Sequence, residues 1–353
     1  MPLDILVGSY NSRAPMSDAV AGVHRVRLDP EDLATAEVRP WAKARDPSWL
    51  AREPGSMDVL AAEERPASDG PRLLRLRRDG TAMVLAFLPG SLTCHLAVSP
   101  NGRLVAAAQY GDGSLALVDL WDGTTRVVQL AGSGPVRGRQ DGPHAHFVQF
   151  QDGGRTLAAL DLGNDALHLL AVEEGGLWPV SRLALPPGSG PRHLAASADG
   201  SRLYVACELD EGVRLVRRAG RALDLGPVVH PFGVAPQGAG ALSAICLSPD
   251  ERFLMVAGRR QAEIAVLRLE AGTGAPHLAA RLSTGGLWPR DLALDPSGQW
   301  LVVANERSGT LTLFTRDLRS GSLERIPGAV PVAHPASVLI DAGAAPGGTA
   351  SML

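Results

Sequence analysis

Short apolar runs recur in pairs along this chain, each pair split by a turn rich in Pro, Asp, Asn, Ser and Gly. One pair reads Leu96-Ala-Val-Ser-Pro-Asn-Gly-Arg-Leu-Val-Ala-Ala-Ala108. Variants of it occupy residues 50–64, 147–160, 194–208, 245–259 and 292–305. Two apolar runs around such a turn predict a β-hairpin. The turn centres are Gly55, Gly102, Gly153, Gly200, Glu251 and Gly298, at intervals of 47, 51, 47, 51 and 47 residues. Each period also holds two weaker strand candidates, for example residues 114–120 and 125–130. Four strands per unit of this length predict the blade of a propeller.

Six hairpins are whole. A seventh falls near the C-terminus, where only its first strand is found, at residues 337–341. The missing second strand is supplied by residues 5–10 at the other end of the chain. A blade assembled from both ends closes a ring and leaves no sheet edge open. The fold expected is all-β: one seven-bladed propeller over residues 1–353, with 344–353, rich in Gly, Ala and Ser, fraying. Apolar alternation is blurred because propeller sheets stack on both faces. A solenoid would not need complementary ends. The single Trp121-Asp122 pair does not recur, which argues against a WD-type scaffold.

Antiparallel pairing puts the residue before the first strand and the residue after the second at the same sheet edge. If the first strand lines the channel, that edge is a channel mouth. Ser48, His95, His144 with His146, Arg192 with His193, Ala244 and Arg290 precede the first strands. Tyr10, Glu63 with Glu64, Gln109, Asp161, Glu208, Arg259 and Asn305 with Glu306 follow the second. The opposite turns carry generic turn residues. One mouth therefore collects the imidazole and guanidinium groups, and chemistry is expected there.

Composition sharpens this picture. The formal charge of −3 is too balanced for a nucleic-acid footprint, and Lys43 is the only lysine, so guanidinium is the available cation. No apolar run is long enough to span a bilayer, and residues 1–10 lack the basic region of a secretory signal, so a cytoplasmic location is expected. Cys94, Cys207 and Cys246 show no metal or redox spacing and are expected as reduced, buried thiols. Nothing in the sequence fixes an oligomeric state.

At the predicted mouth several roles stay open. His144 and His146, spaced by one residue, are expected on one face of a strand, where they could ligate a metal, act as base and acid, or hydrogen-bond a loop. Metal is disfavoured because Arg192, Arg259 and Arg290 add positive charge. Glu208 could be a general base or a brace for Arg192. Arg259 and Arg290 could clamp an anion or be structural. No Gly-x-Ser-x-Gly elbow supports covalent acyl transfer.

Several segments together resemble the seven-bladed propeller lactonases, the family of the propeller-type 6-phosphogluconolactonases and the carboxy-muconate lactonising cycloisomerases. These are Arg139-Gln-Asp-Gly-Pro-His-Ala-His146, Asp161-Leu-Gly-Asn-Asp165, Gly190-Pro-Arg-His193, the Tyr204 to Leu209 element, Pro289-Arg290 and Ala304-Asn-Glu306. The resemblance covers essentially the whole chain. It departs from the family pattern at Ala257-Gly-Arg-Arg260, at Ala244 and at Gln109-Tyr110.

The resemblance implies a lactone hydrolase acting on a small anionic lactone, 6-phosphogluconolactone first, in the pentose phosphate pathway. It implies that His144, Arg192, Glu208 and Arg259 line the active site; with the mouth placement, His144, Glu208 and Arg192 are expected as catalytic residues and His146, His193, Arg259 and Arg290 as substrate-binding residues. The chemistry expected is addition of water, with Glu208 or His144 as base, and it needs no metal, cofactor or covalent intermediate. A muconate-type lactonising cycloisomerase and a non-catalytic binding propeller are the alternatives. A scaffold would consume these side chains in blade-to-blade contacts.

Overall fold

The computed structural model describes residues 2–13 and 21–341; the segment 344–353, expected to fray, lies outside them. Seven antiparallel sheets succeed one another along the chain. Their first strands are Trp49–Arg52, Thr93–Val98, Ala145–Gln151, Pro191–Ala196, Leu242–Leu247, Pro289–Leu294 and Pro335–Asp341, in blades one to seven. Each lies at one end of its sheet and touches the first strand of the next blade, all the way round. These strands are therefore the lining of the ring. In blade seven, Pro335–Asp341 pairs with Leu3–Ser9, with Val7 opposite Val338, so the two ends of the chain share a sheet.

The hairpin turns follow from local chemistry. Gly55, Gly102, Gly153, Gly200 and Gly298 all have φ between 65° and 72°. That region excludes most side chains, so glycine is the natural occupant. Blade five places Glu251 there at φ 52°. Its carboxylate meets Arg202 of blade four at 3.1 Å, a contact that offsets part of the strain. Blade six differs from the expected four strands. Its outer strand is split into Leu323–Arg325 and Val330–Pro331, because Pro327 and Gly328 between them interrupt the ladder.

The core lies between blades. Leu215 and Tyr204 of blade four pack with Leu254 and Val256 of blade five, and Val302 and Leu313 of blade six pack with Ile5 and Val26 of blade seven. Both faces of each sheet are buried, which blurs the alternation. The seam between blades seven and one is tight: a Cβ on Gly8 would come within 2.1 Å of the Pro47 carbonyl oxygen and 2.7 Å of Ser337 Oγ. Gly8→Ala should therefore lower stability by about 1–3 kcal/mol, read as a drop in the thermal midpoint. A melt superimposable on the parent's would show a looser seam.

The lining strands begin earlier than the apolar pattern suggests. His95, His146, Arg192, His193 and Arg290 lie inside them rather than before them. The cause is a β-bulge near the start of six of the seven lining strands. The extra residue is Cys94, His146, Arg192 or Arg290 in blades two, three, four and six, and Ala336 in blade seven. A bulge breaks the two-residue alternation and re-aims its side chain. His146 and Arg192 owe their direction to it.

Candidate active site

Glu208 follows the strand Arg202–Cys207 and is 5% exposed. Three arginines from three blades converge on it. Arg139 Nη2 donates to Oε1 at 2.6 Å, Arg259 Nη2 lies 2.7 Å from Oε2, and Arg192 Nε lies 3.1 Å from Oε2. Burial alone would raise the Glu208 pKa. Attraction from Arg259, then Arg192 and Arg139, reverses this and holds the carboxyl far below its ordinary value. Arg192 is itself 3% exposed; burial, then repulsion from Arg259, lowers it to about 10. Its Nε and Nη1 have no hydrogen-bond partner in the protein. Arg259 is further anchored, since its Nε and Nη2 also donate to the carbonyls of Ala241 and Leu242.

His144 is joined to this cluster through Tyr110. The two rings stack with centroids 4.5 Å apart, and the Tyr110 hydroxyl lies near Arg139. The Nδ1 of His144 lies 2.7 Å from the Tyr110 carbonyl oxygen. A carbonyl only accepts, so Nδ1 carries a proton, and the tautomer this contact selects has its lone pair on Nε2. The backbone N–H of His144 donates to Asp161 Oδ1 at 2.7 Å, which fixes the residue's position. Asp165 accepts from the N–H groups of Gly188 and Gly190, and Gln140 Nε2 donates to it at 2.8 Å. The Asp161 to Asp165 segment is therefore a frame that sets the loops carrying His144, Arg139 and Arg192.

His146 meets the edge of the Tyr110 ring and lies 5.6 Å from His193. His146 is the bulged residue of its strand, and both it and His144 meet the Tyr110 ring. His193 is enclosed by Trp49, His95, His146 and Phe147, at 5.4–5.6 Å between centroids. Burial, reinforced by Arg192, pushes His95, His146 and His193 well below the usual imidazole value, so all three are neutral. His95 Nε2 and His146 Nδ1 have no hydrogen-bond partner in the protein. Among the described residues, no group of three His, Cys, Asp or Glu side chains forms a metal-ligand set.

Arg290 is not part of the Glu208 cluster. It bonds the Tyr10 hydroxyl and lies 3.7 Å from Glu64 and 3.5 Å from Glu306. Tyr10 donates to Glu64 at 2.7 Å, and Arg13 pairs with Glu306. Arg290 is thus surrounded by two carboxylates and a phenol. Glu63 is a brace, held bidentately by Arg45 and by Arg72. The blade contacts thus consume Glu208, Glu63 and Arg290 but leave the buried Nη1 of Arg192 without a partner in the protein. Sequence reading missed Arg139 and Tyr110 as site residues, although Arg139 lies in the quoted block ending at His146.

The ring, with arginines gathered at one mouth, defines the class as an all-β seven-bladed propeller. The chain belongs to the family described as "Lactonase, 7-bladed beta-propeller", which it matches over residues 4–340. A 6-phosphogluconolactonase of Bacillus subtilis is 30% identical over 331 residues, covering 90% of this chain and 93% of that protein. A crystal structure from Lactobacillus plantarum is similar at a TM-score of 0.85 and 29% identity, covering 96% and 99% of the two chains. A Pseudomonas aeruginosa periplasmic gluconolactonase is similar at a TM-score of 0.82 and 27% identity, with the same coverage. No helix of the described residues is long and apolar enough to cross a membrane.

Proposed function

We propose that this lactonase opens a phosphorylated sugar lactone, 6-phosphogluconolactone first, by adding water to the lactone carbonyl. The observation that carries the reading is Arg192, a buried guanidinium whose Nη1 has no partner in the protein. It belongs to the same cluster as an imidazole whose Nε2 keeps a lone pair. The name of the Bacillus subtilis relative supports the choice of substrate.

In this reading His144 Nε2 takes a proton from water as its oxygen attacks the carbonyl carbon. Arg192 Nη1 donates to the oxygen on which negative charge develops. The tetrahedral intermediate then expels the ring oxygen, and the imidazolium of His144 returns the proton to it. The products are the ring-opened hydroxyl and a carboxylic acid that ionises in water. Glu208 is not the base. A carboxylate held so far below its ordinary value binds a proton too weakly for that task. Its part is to hold Arg139, Arg192 and Arg259 together against their mutual repulsion.

The test is a pH-stat assay against the spontaneous rate, with 6-phosphogluconolactone, unphosphorylated gluconolactone and a muconate-type diacid. Acid release well above background is expected on the phosphorylated lactone, less on the plain one, and no cyclisation of the diacid. Cyclisation of the diacid with lactone opening at background would overturn the reading in favour of a cycloisomerase. Background rates on all three would leave a non-catalytic propeller.

A further inference from the structure

A groove of about 610 Å³ opens beside Arg259, lined by Arg259, Arg260, Ala262, Leu287, Trp288 and Arg307. Three of these six residues are arginines and none is acidic. Arg260 and Arg307 are exposed, and neither has an ion-pair partner among the described residues. That is unusual in a chain whose mouth arginines are otherwise bound to carboxylates. Arg260 follows the strand Phe253–Gly258, Trp288 precedes Pro289–Leu294, and Arg307 follows Trp300–Asn305. By the same antiparallel logic that places Glu208 and Arg192, the groove lies at the same mouth, between blades five and six. Arg259 belongs to both places.

Trp288 stands where Leu92, Gly190 and His334 also take positive φ just before lining strands, and it is the large aromatic residue among them. Its φ is +62°, a left-handed conformation that a bulky aromatic residue rarely adopts. Its surroundings hold it there. The Trp288 carbonyl accepts the Glu306 N–H at 3.0 Å, the Leu287 carbonyl accepts the Arg307 N–H at 3.2 Å, and the Leu287 N–H donates to Ser308 Oγ at 3.0 Å. The result is an indole placed under the guanidinium of Arg307, whose Cζ lies 3.5 Å from the ring centroid. Arg259 Cζ lies 5.2 Å from the same ring. An aromatic face under an arginine restricts its fork without neutralising its charge.

We propose that this groove is the subsite for the substrate's phosphate, with Arg260 and Arg307 as the clamp and Trp288 as the platform that orients Arg307. The proposal rests on the reading of lactone opening at Arg192 and His144. It gives the two charged ends of the mouth separate tasks. In a six-carbon phosphorylated lactone the carbonyl and the phosphate are at opposite ends of the carbon chain. The cluster around Glu208 receives the carbonyl, and the unpaired guanidiniums receive the dianion, for which planar donors in a fork are well suited.

The experiment compares Arg260→Ala, Arg307→Ala and the double variant with the parent on phosphorylated and plain gluconolactone. Inorganic phosphate is the probe for the subsite. Each single change should raise KM for the phosphorylated lactone about ten- to a hundredfold with little change in kcat, the loss expected for hydrogen bonds to a charged group. The preference for the phosphorylated over the plain lactone, as a ratio of kcat/KM, should fall by the same factor. Inorganic phosphate should inhibit the parent competitively and the double variant far more weakly. An unchanged preference, or phosphate inhibition that persists in the double variant, would overturn the subsite while leaving the lactonase reading in place. A parent that opens neither lactone overturns both.

Discussion

Glu208→Gln is expected to destabilise the folded protein by about 3–5 kcal/mol, the range for removing one partner from a buried ion pair. Glutamine keeps the shape of the side chain and removes its charge. Arg192 and Arg259 are then buried side by side with no counter-charge, and Arg139 loses its 2.6 Å contact. The pH dependence has a definite sign. The folded pKa of Glu208 is depressed, so its stabilising contribution is complete above about pH 4.5, the ordinary carboxyl value, and declines as pH falls toward the folded value. The variant has no such group. The gap in thermal midpoint between parent and variant should be widest near neutral pH and narrow at about pH 3. Equal midpoints at both values would show that Glu208 does not hold the arginines together.

The propeller was legible because its turns are chemically demanding. A left-handed residue at every hairpin centre calls for glycine, so Gly55, Gly102, Gly153, Gly200 and Gly298 mark the period. Even Glu251, the exception, kept the spacing. Ring closure was legible because the strand Pro335–Asp341 has no hairpin partner after it and Leu3–Ser9 has none before it. The edge argument also put His144, Arg192, Glu208 and Arg259 at one mouth without coordinates.

What the sequence concealed is the direction of side chains. A bulge leaves no residue signature in the segments Cys94-His95, Ala145-His146 or Pro191-Arg192, so strand starts were placed too late. Charge pairing was equally hidden. Arg290 and Arg259 look alike as arginines near a strand end, yet one is held by two carboxylates and a phenol and the other by Glu208 and two carbonyls. Arg139 comes from a loop with no strand pattern, and its partner Glu208 is 69 residues away. Trp288 and Arg307 flank the two strands of one hairpin, 19 residues apart, and only its pairing brings the ring beneath the guanidinium.

His144→Ala should lower kcat by about 10²–10⁴-fold, the usual contribution of a positioned general base, with a much smaller change in KM. The side chain is only partly buried and makes one hydrogen bond and one stack, so the fold should survive its loss. Sugar lactones open spontaneously, so the rate must be read after subtracting that background. Tyr110→Phe is the informative companion. It keeps the stacked ring and the backbone carbonyl that holds Nδ1, and removes only the hydroxyl that meets Arg139. If orientation of His144 is what matters, Tyr110→Phe should retain most of the parent's kcat while His144→Ala loses it. A His144→Ala protein that melts like the parent and turns over at the parent's rate would place the base elsewhere. His146 would then be the next candidate, since it touches the same tyrosine and its Nδ1 has no partner in the protein.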